Sequence, residues 1–328
     1  MFKKILFITG HRKSGTTMFA NLFDGHQDFL VYPSDVCLLY AYYPFFIKSN
    51  LSFKKKRDRI LHIISKDLGS VCQTQNISNK FDLKKMLGLI KKSINSKNIN
   101  SIKNLLKIVF KSYEKSLKFK ANYKYFVIKE TSLDIFFNKI FSKKDKIKYL
   151  HIIRDPRDNY ASLKSGAKNY YNKLGESEKK LLFSLINRCK LDYSFIDINK
   201  NIYGNKNYKH IKFEDLTKRP KKTMIEICNF LNVKFNNQLL FPSILGTKTK
   251  GNNYEGEDFF KISSKNVNRW KERINESEAK IIEFYFKDEL KKYKYKISNS
   301  NRKKNIDAIT DFYEWTNYNF FYHDSFKN

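Results

Sequence analysis

The 328-residue chain holds only four cysteines, and Cys37, Cys72, Cys189 and Cys228 stand far apart. There is no Cys-x-x-Cys pair and no histidine beside them at ligand spacing, which excludes a disulfide framework and a thiolate zinc site. Long hydrophobic runs are lacking too. Ile5-Leu6-Phe7-Ile8, preceded by Lys3 and Lys4, is too short for a signal-peptide core or a membrane span. It runs into Gly10 and reads instead as a buried first strand, so a cytoplasmic location is expected. No internal repeat is present. Acidic residues are scarce, 32 against 65 Lys and Arg, for a formal net charge of +33.

That imbalance fits a nucleic-acid binder. However, Lys, Asn, Ile, Phe and Tyr are all frequent together, as in AT-rich coding DNA, and the lysines run along the whole chain. Compositional bias accounts for most of them, and no specific nucleic-acid partner is expected. A positive surface still favours an anionic donor and an anionic acceptor. Hydrophobic residues at 41% and aromatics at 16% suffice for the core of one large α/β domain.

Four apolar runs read as buried strands: Ile5–Ile8, Tyr125–Ile128, Tyr149–Ile153 and Tyr208–Phe213. Helical periodicity follows Thr16 and spans Ile102–Tyr113, Lys180–Ile198, Met224–Leu231 and Ala279–Leu290. Strands alternating with helices predict a mostly parallel sheet covered on both faces. Ligands of such sheets bind beyond the C-terminal strand ends. A Lys- and Ser/Asn-rich helical insertion is expected at about residues 48–120, within a domain covering residues 1–296. Residues 297–328 form an aromatic tail (Phe312, Tyr313, Trp315, Phe320, Phe321, Tyr322) that could dock on the body or on a second subunit.

Gly10-His11-Arg12-Lys13-Ser14-Gly15-Thr16-Thr17 follows a strand and opens a helix. Such a turn aims backbone N–H groups and the positive helix end at one anion. It departs from the nucleotide loop G-x-x-x-x-G-K-[ST], because Thr16 stands where that loop has its lysine. The loop's own lysine is Lys13. A kinase-like or NTPase P-loop is therefore the alternative reading. A second anion site is expected at Arg154-Asp155-Pro156-Arg157, where an arginine leaves a strand end and Ser162 follows eight residues on. An Arg fork with a hydroxyl suits a phosphate dianion.

Lys-Ser-Gly-Thr-Thr resembles the 5′-phosphosulfate loop of the sulfotransferases that use 3′-phosphoadenosine 5′-phosphosulfate (PAPS). The Arg154/Ser162 pair is similar to their 3′-phosphate motif. Asp24-Gly25-His26 … Pro33-Ser34-Asp35, Phe213-Glu214-Asp215-Leu216 and Ser263-Ser264 … Asn268-Arg269-Trp270-Lys271 resemble further segments of the family, especially its glycan- and protein-modifying branches. The resemblance implies an α/β, three-layer, P-loop-like fold and sulfuryl transfer from PAPS to a hydroxyl or amine. It makes Arg12, Lys13, Ser14, Gly15, Thr16, Thr17, Arg154, Ser162, Phe213, Ser264 and Arg269 the donor-binding residues. Lys13 and Asp35 become the catalytic pair, Asp35 as general base with His26 in reserve. Phe213 replaces a tyrosine of the family pattern, so only ring packing is expected of it. Lys129-Glu130-Thr131 lies near the family's Glu-Lys-Thr-Pro segment but differs in charge order and proline, and carries no assigned role. No metal is expected, since no carboxylate cluster or His pair stands at ligand spacing. The expected acceptor is a glycan or lipid-linked sugar; peripheral membrane contact and self-association are compatible with the surface charge and the tail.

Overall fold

A computed structural model describes residues 4–36, 50–132, 134–249 and 260–297. The expected aromatic tail beyond residue 297 lies outside the described residues. Five parallel strands form one sheet: β1 (Lys4–Thr9), β2 (Phe29–Asp35), β3 (Tyr125–Lys129), β4 (Ile147–Ile153) and β5 (Tyr208–Lys212), in the order β2-β3-β1-β4-β5. Side chains alternate across the sheet, as strand pleating requires. Phe7, Phe126, Ile128 and Tyr149 join one core cluster, while Leu6, Ile8, Tyr125, Val127, Leu150 and Ile152 join the other. With both faces buried, the three-layer α/β expectation holds.

Sequence reading misses β2. Pro33 sits inside it and cannot donate to a ladder, a residue confined to edge strands and irregular pairings. Here β2 is the edge strand, and its register with β3 shifts between Val31 and Asp35. The strand expected to reach Phe213 stops at Lys212, and Phe213 opens a helix.

Helix α1 (Thr16–Asn21) follows the glycine loop. The insertion contributes α2 (Phe53–Gln75), α3 (Leu83–Ser93) and α4 (Ile102–Ser116), each N-capped by a side-chain oxygen from Ser52, Asp82 or Ser101. A short α5 (Phe137–Ile140) precedes β4, and α6 (Pro156–Ser165) follows it. The periodicity over Lys180–Ile198 resolves into α7 (Glu178–Ser184), a π turn over Leu185–Cys189 and α8 (Lys190–Tyr203). Behind β5 come α9 (Phe213–Lys218) and α10 (Pro220–Leu231), with Pro220 in the first turn as expected. The described chain closes with α11 (Trp270–Arg273), α12 (Glu276–Tyr285) and α13 (Lys287–Lys292). The rings of Phe7, Phe137 and Tyr149, essentially unexposed and in mutual contact, pin the centre of the sheet. Burying each such ring contributes roughly 1.5–3 kcal/mol.

Candidate active site

The glycine loop leaves the C-terminal end of β1, and two glycines set its path. Gly10 has φ 150°, and a Cβ there would lie 2.3 Å from the Ile152 carbonyl oxygen of β4. Gly15 has φ 93°, and its Cβ would lie 2.6 Å from the Phe213 ring. Only glycine accepts both the backbone and the space. Lys13 is held at φ 66°, a sparsely populated conformation for a residue with a side chain. Ser14 is fixed by Asn159 of α6, whose Nδ2 donates to Ser14 Oγ at 2.8 Å. Thr16 starts α1 and is buried.

Arg154 comes off the end of β4 directly beside this loop. Its Nη1 donates to the Lys13 carbonyl at 2.8 Å and its Nη2 to the Asn266 carbonyl at 2.7 Å. Its guanidinium lies 4.6 Å from the centre of the Phe213 ring, the ring that also abuts Gly15. Its Nε is buried and has no hydrogen-bond partner among the described residues. Burial pushes the Arg154 pKa down, against the pull of Asp158, Glu214 and Asp155. The two anion sites predicted separately thus share one ring and one hydrogen bond.

The segment after residue 260 closes over the same spot. Asp158 accepts from the Asn268 N–H at 2.6 Å and from the Trp270 N–H at 2.9 Å. This tethers the stretch that carries Ser264 and Arg269. Ser264 is exposed, and Arg269 stands at the start of α11 with its Nε 3.6 Å from Glu272. Ser162 is half-buried in α6, two turns beyond Pro156. Phe213 is buried against the loop and Arg154, so the ring packing expected of it falls first on protein.

Arg12 points elsewhere. Its guanidinium is paired with both carboxylate oxygens of Glu176 at 3.0 and 3.1 Å, donates to Ser184 Oγ at 2.8 Å, and lies over Tyr171. Through these contacts Arg12 braces the loop to α7. His26, the reserve base, is likewise tied down between the Lys234 carbonyl at 2.9 Å and the Asp28 N–H at 3.1 Å.

Lys13 is surrounded by like charge. Burial together with Arg154, Arg12 and Lys129 lowers its pKa to about 7. An anion in the loop would relieve this directly.

Lys129, at the end of β3, is the residue that sequence reasoning left without a role. Its Nζ lies 2.6 Å from Asp35 Oδ2 and donates to Thr17 Oγ1 at 3.2 Å. It thereby links the candidate base to the loop hydroxyl. Asp35 ends the neighbouring strand β2, and its other carboxylate oxygen is buried without a hydrogen-bond partner among the described residues. Next to them, burial and then the charge of Asp35 push the Glu130 carboxyl well above its usual range. The signal available in the sequence was the Lys129-Glu130-Thr131 segment itself.

Beneath the loop, Asp134, His151 and Asp192 converge from three elements. His151 Nε2 lies 3.1 Å from Asp192, and its Nδ1 lies 2.8 Å from the Tyr208 hydroxyl and 3.4 Å from Asp134. These fully buried groups offer three ligand atoms within 4.8 Å of one another, a set that could take a metal ion. The expectation of no such cluster is corrected, because the three are distant in sequence. Burial alone would raise Asp192, but His151 brings it down to about 2, while burial and Asp192 push Asp134 well up. Asp192 also interacts electrostatically with the buried His11 of the loop.

A family model described as a sulfotransferase domain matches residues 3–294. No curated protein matches the chain. Among solved structures, the sulfotransferase domain from the curacin biosynthetic pathway is similar with a TM-score of 0.58 and 18% identity, covering 90% of this chain and 99% of that one. The sulfotransferase domain of the Synechococcus PCC 7002 olefin synthase is similar with a TM-score of 0.57 and 16% identity, covering 90% and 98%. Those two likenesses bear on the fold alone. With the domain match spanning nearly its whole length, the chain is an enzyme of the sulfotransferase family.

Proposed function

We propose that the enzyme moves a sulfuryl group from PAPS to a hydroxyl or amine of a glycan or lipid-linked sugar. The observation that carries the donor is the contact between Arg154 and the Lys13 carbonyl, with Phe213 packed on both. One nucleotide with a charged group at each end of its ribose can reach both sites. The loop N–H groups, Lys13, Thr16 and Thr17 would neutralise the transferring group and the leaving phosphate. Arg154, Ser162 and Arg269 would hold the 3′-phosphate, and Ser264 would border it.

Asp35 is the proposed general base, and the Lys129 ion pair would hold it toward the loop. Close to Thr17, the Lys129 ammonium would also offset charge developing on the sulfuryl oxygens. The glycan acceptor rests on the likeness of the Asp24–Asp35 segment to glycan-modifying relatives. Titration calorimetry with adenosine 3′,5′-bisphosphate, set against ATP with magnesium, tests the donor. Tight bisphosphate binding without magnesium is expected; magnesium-dependent ATP binding with none for the bisphosphate overturns the assignment. Asp35→Asn should cut turnover ~10²–10⁴-fold at unchanged bisphosphate affinity, and near-normal turnover would move the base elsewhere.

A further inference from the structure

The insertion carries a charge excess that sulfuryl transfer does not use. Residues 50–120 hold 18 Lys and Arg against 4 Asp and Glu, a net +14 over 71 residues. The other 257 residues hold 47 against 28, a net +19. Charge per residue is nearly three times higher in the insertion, so a bias common to the whole chain does not explain it.

The fold leaves much of this charge exposed on two packed helices. The Asp82 N–H donates to the Ser116 carbonyl, so the start of α3 sits at the end of α4, and the two helices run antiparallel. They pack through buried Met86 and Ile90 on one and Leu105, Leu106 and Val109 on the other. Lys84, Lys85, Lys91 and Lys92 of α3, and Lys111 and Lys115 of α4, are exposed. Helix α3 contains no acidic residue, and α4 contains only Glu114. Like charges one turn apart, as at Lys111 and Lys115, weaken a helix, so folding alone does not favour this arrangement. Beyond α4, Phe119 is 46% exposed between Lys118 and Lys120. An exposed aromatic ring at the margin of a lysine face is the pattern of a peripheral membrane anchor.

We infer that the α3–α4 lysine face docks the enzyme on an anionic phospholipid surface. Opposite charge selects the surface, and Phe119 supplies an apolar contact at its edge. Helix α2 of the same insertion packs on β2, the edge strand that ends in Asp35, so docking would hold that edge of the sheet toward the lipid.

Cosedimentation of the full chain tests this, using vesicles of equal parts phosphatidylglycerol and phosphatidylcholine against phosphatidylcholine alone. Binding to the anionic vesicles only is expected, weakening as salt rises. A variant with K84E, K85E, K91E and K92E should bind them at least about 100-fold more weakly, since each lysine near such a surface is worth about fivefold. K111E with K115E, on the other helix, should lose about 25-fold by the same rule. A control with K179E, K180E, K221E and K222E reverses four exposed charges elsewhere and should stay within a few-fold of the parent. Equal loss in the control and the insertion variants would reduce the effect to bulk charge and overturn the inference. Tighter binding to a heparin fragment than to vesicles, lost in the same insertion variants, would reassign the face to a polyanionic chain and overturn it too.

Discussion

Two arginines three residues apart at the start of α6 are treated in opposite ways. Arg157 is saturated by carboxylates: Asp155 accepts from Nε and Nη2 at 3.0 and 2.6 Å, Glu283 from Nη1 at 2.5 Å, and Trp270 covers its face. Those bonds raise its pKa despite burial. Arg154 receives two neutral carbonyls and a phenyl ring, keeps a buried Nε without a partner among the described residues, and has its pKa lowered. One cation is spent on holding the fold together. The other donates to neutral carbonyls, and burial with neighbouring cations lowers the pKa of Lys13 beside it to about 7. Sequence alone does not separate the two, because both belong to one Arg-Asp-Pro-Arg run.

The largest effect should come from removing the saturated partner. Arg157→Ala leaves Asp155 and Glu283 buried without their counterion and should cost about 3–5 kcal/mol of folding stability in urea titrations. A loss below about 1 kcal/mol would erase the contrast. Lys13→Ala should do the reverse: turnover falls ~10²–10³-fold while the unfolding midpoint holds or rises, since the residue sits among like charges. Arg154→Ala should weaken adenosine 3′,5′-bisphosphate by about 1.5–3 kcal/mol and leave adenosine 5′-phosphate nearly unaffected. Equal losses for both nucleotides would remove the 3′-phosphate from this arginine.

The smallest effect is a pH dependence. Lys13 titrates at about 7 in the empty protein, and an anion in the loop favours its charged form. Below pH 7 it is already protonated, so its contribution to bisphosphate affinity is constant. Above pH 7 binding must take up a proton, and affinity should fall by up to about tenfold per pH unit until the pKa of the complex is reached. Lys13→Arg should bind without that alkaline decline. A parent profile flat from neutral to alkaline pH would show that Lys13 is charged before the ligand arrives.

Much of this was legible because it is local. Strand, glycine loop and helix are contiguous, and Pro156 with Asp155 marks the start of α6 by composition alone. Residues joined across the sheet were not. The pairing of Lys129 with Asp35 depends on β2 lying beside β3, and Pro33 hides β2 from any strand pattern. Arg12 resembles an anion contact until folding brings in Glu176, 164 residues away. Asp134, His151 and Asp192 form a group only once three elements are packed, so spacing could not reveal them.

Phe213 has a consequence for how such a protein can change over time. Its ring touches the position where Gly15 can carry no side chain and the guanidinium of Arg154. A bulkier ring would collide with the loop, and a smaller residue would leave the arginine unsupported. Positions 15, 154 and 213 should therefore drift as a unit, and a single replacement among them will disturb both the glycine loop and the strand-end arginine at once.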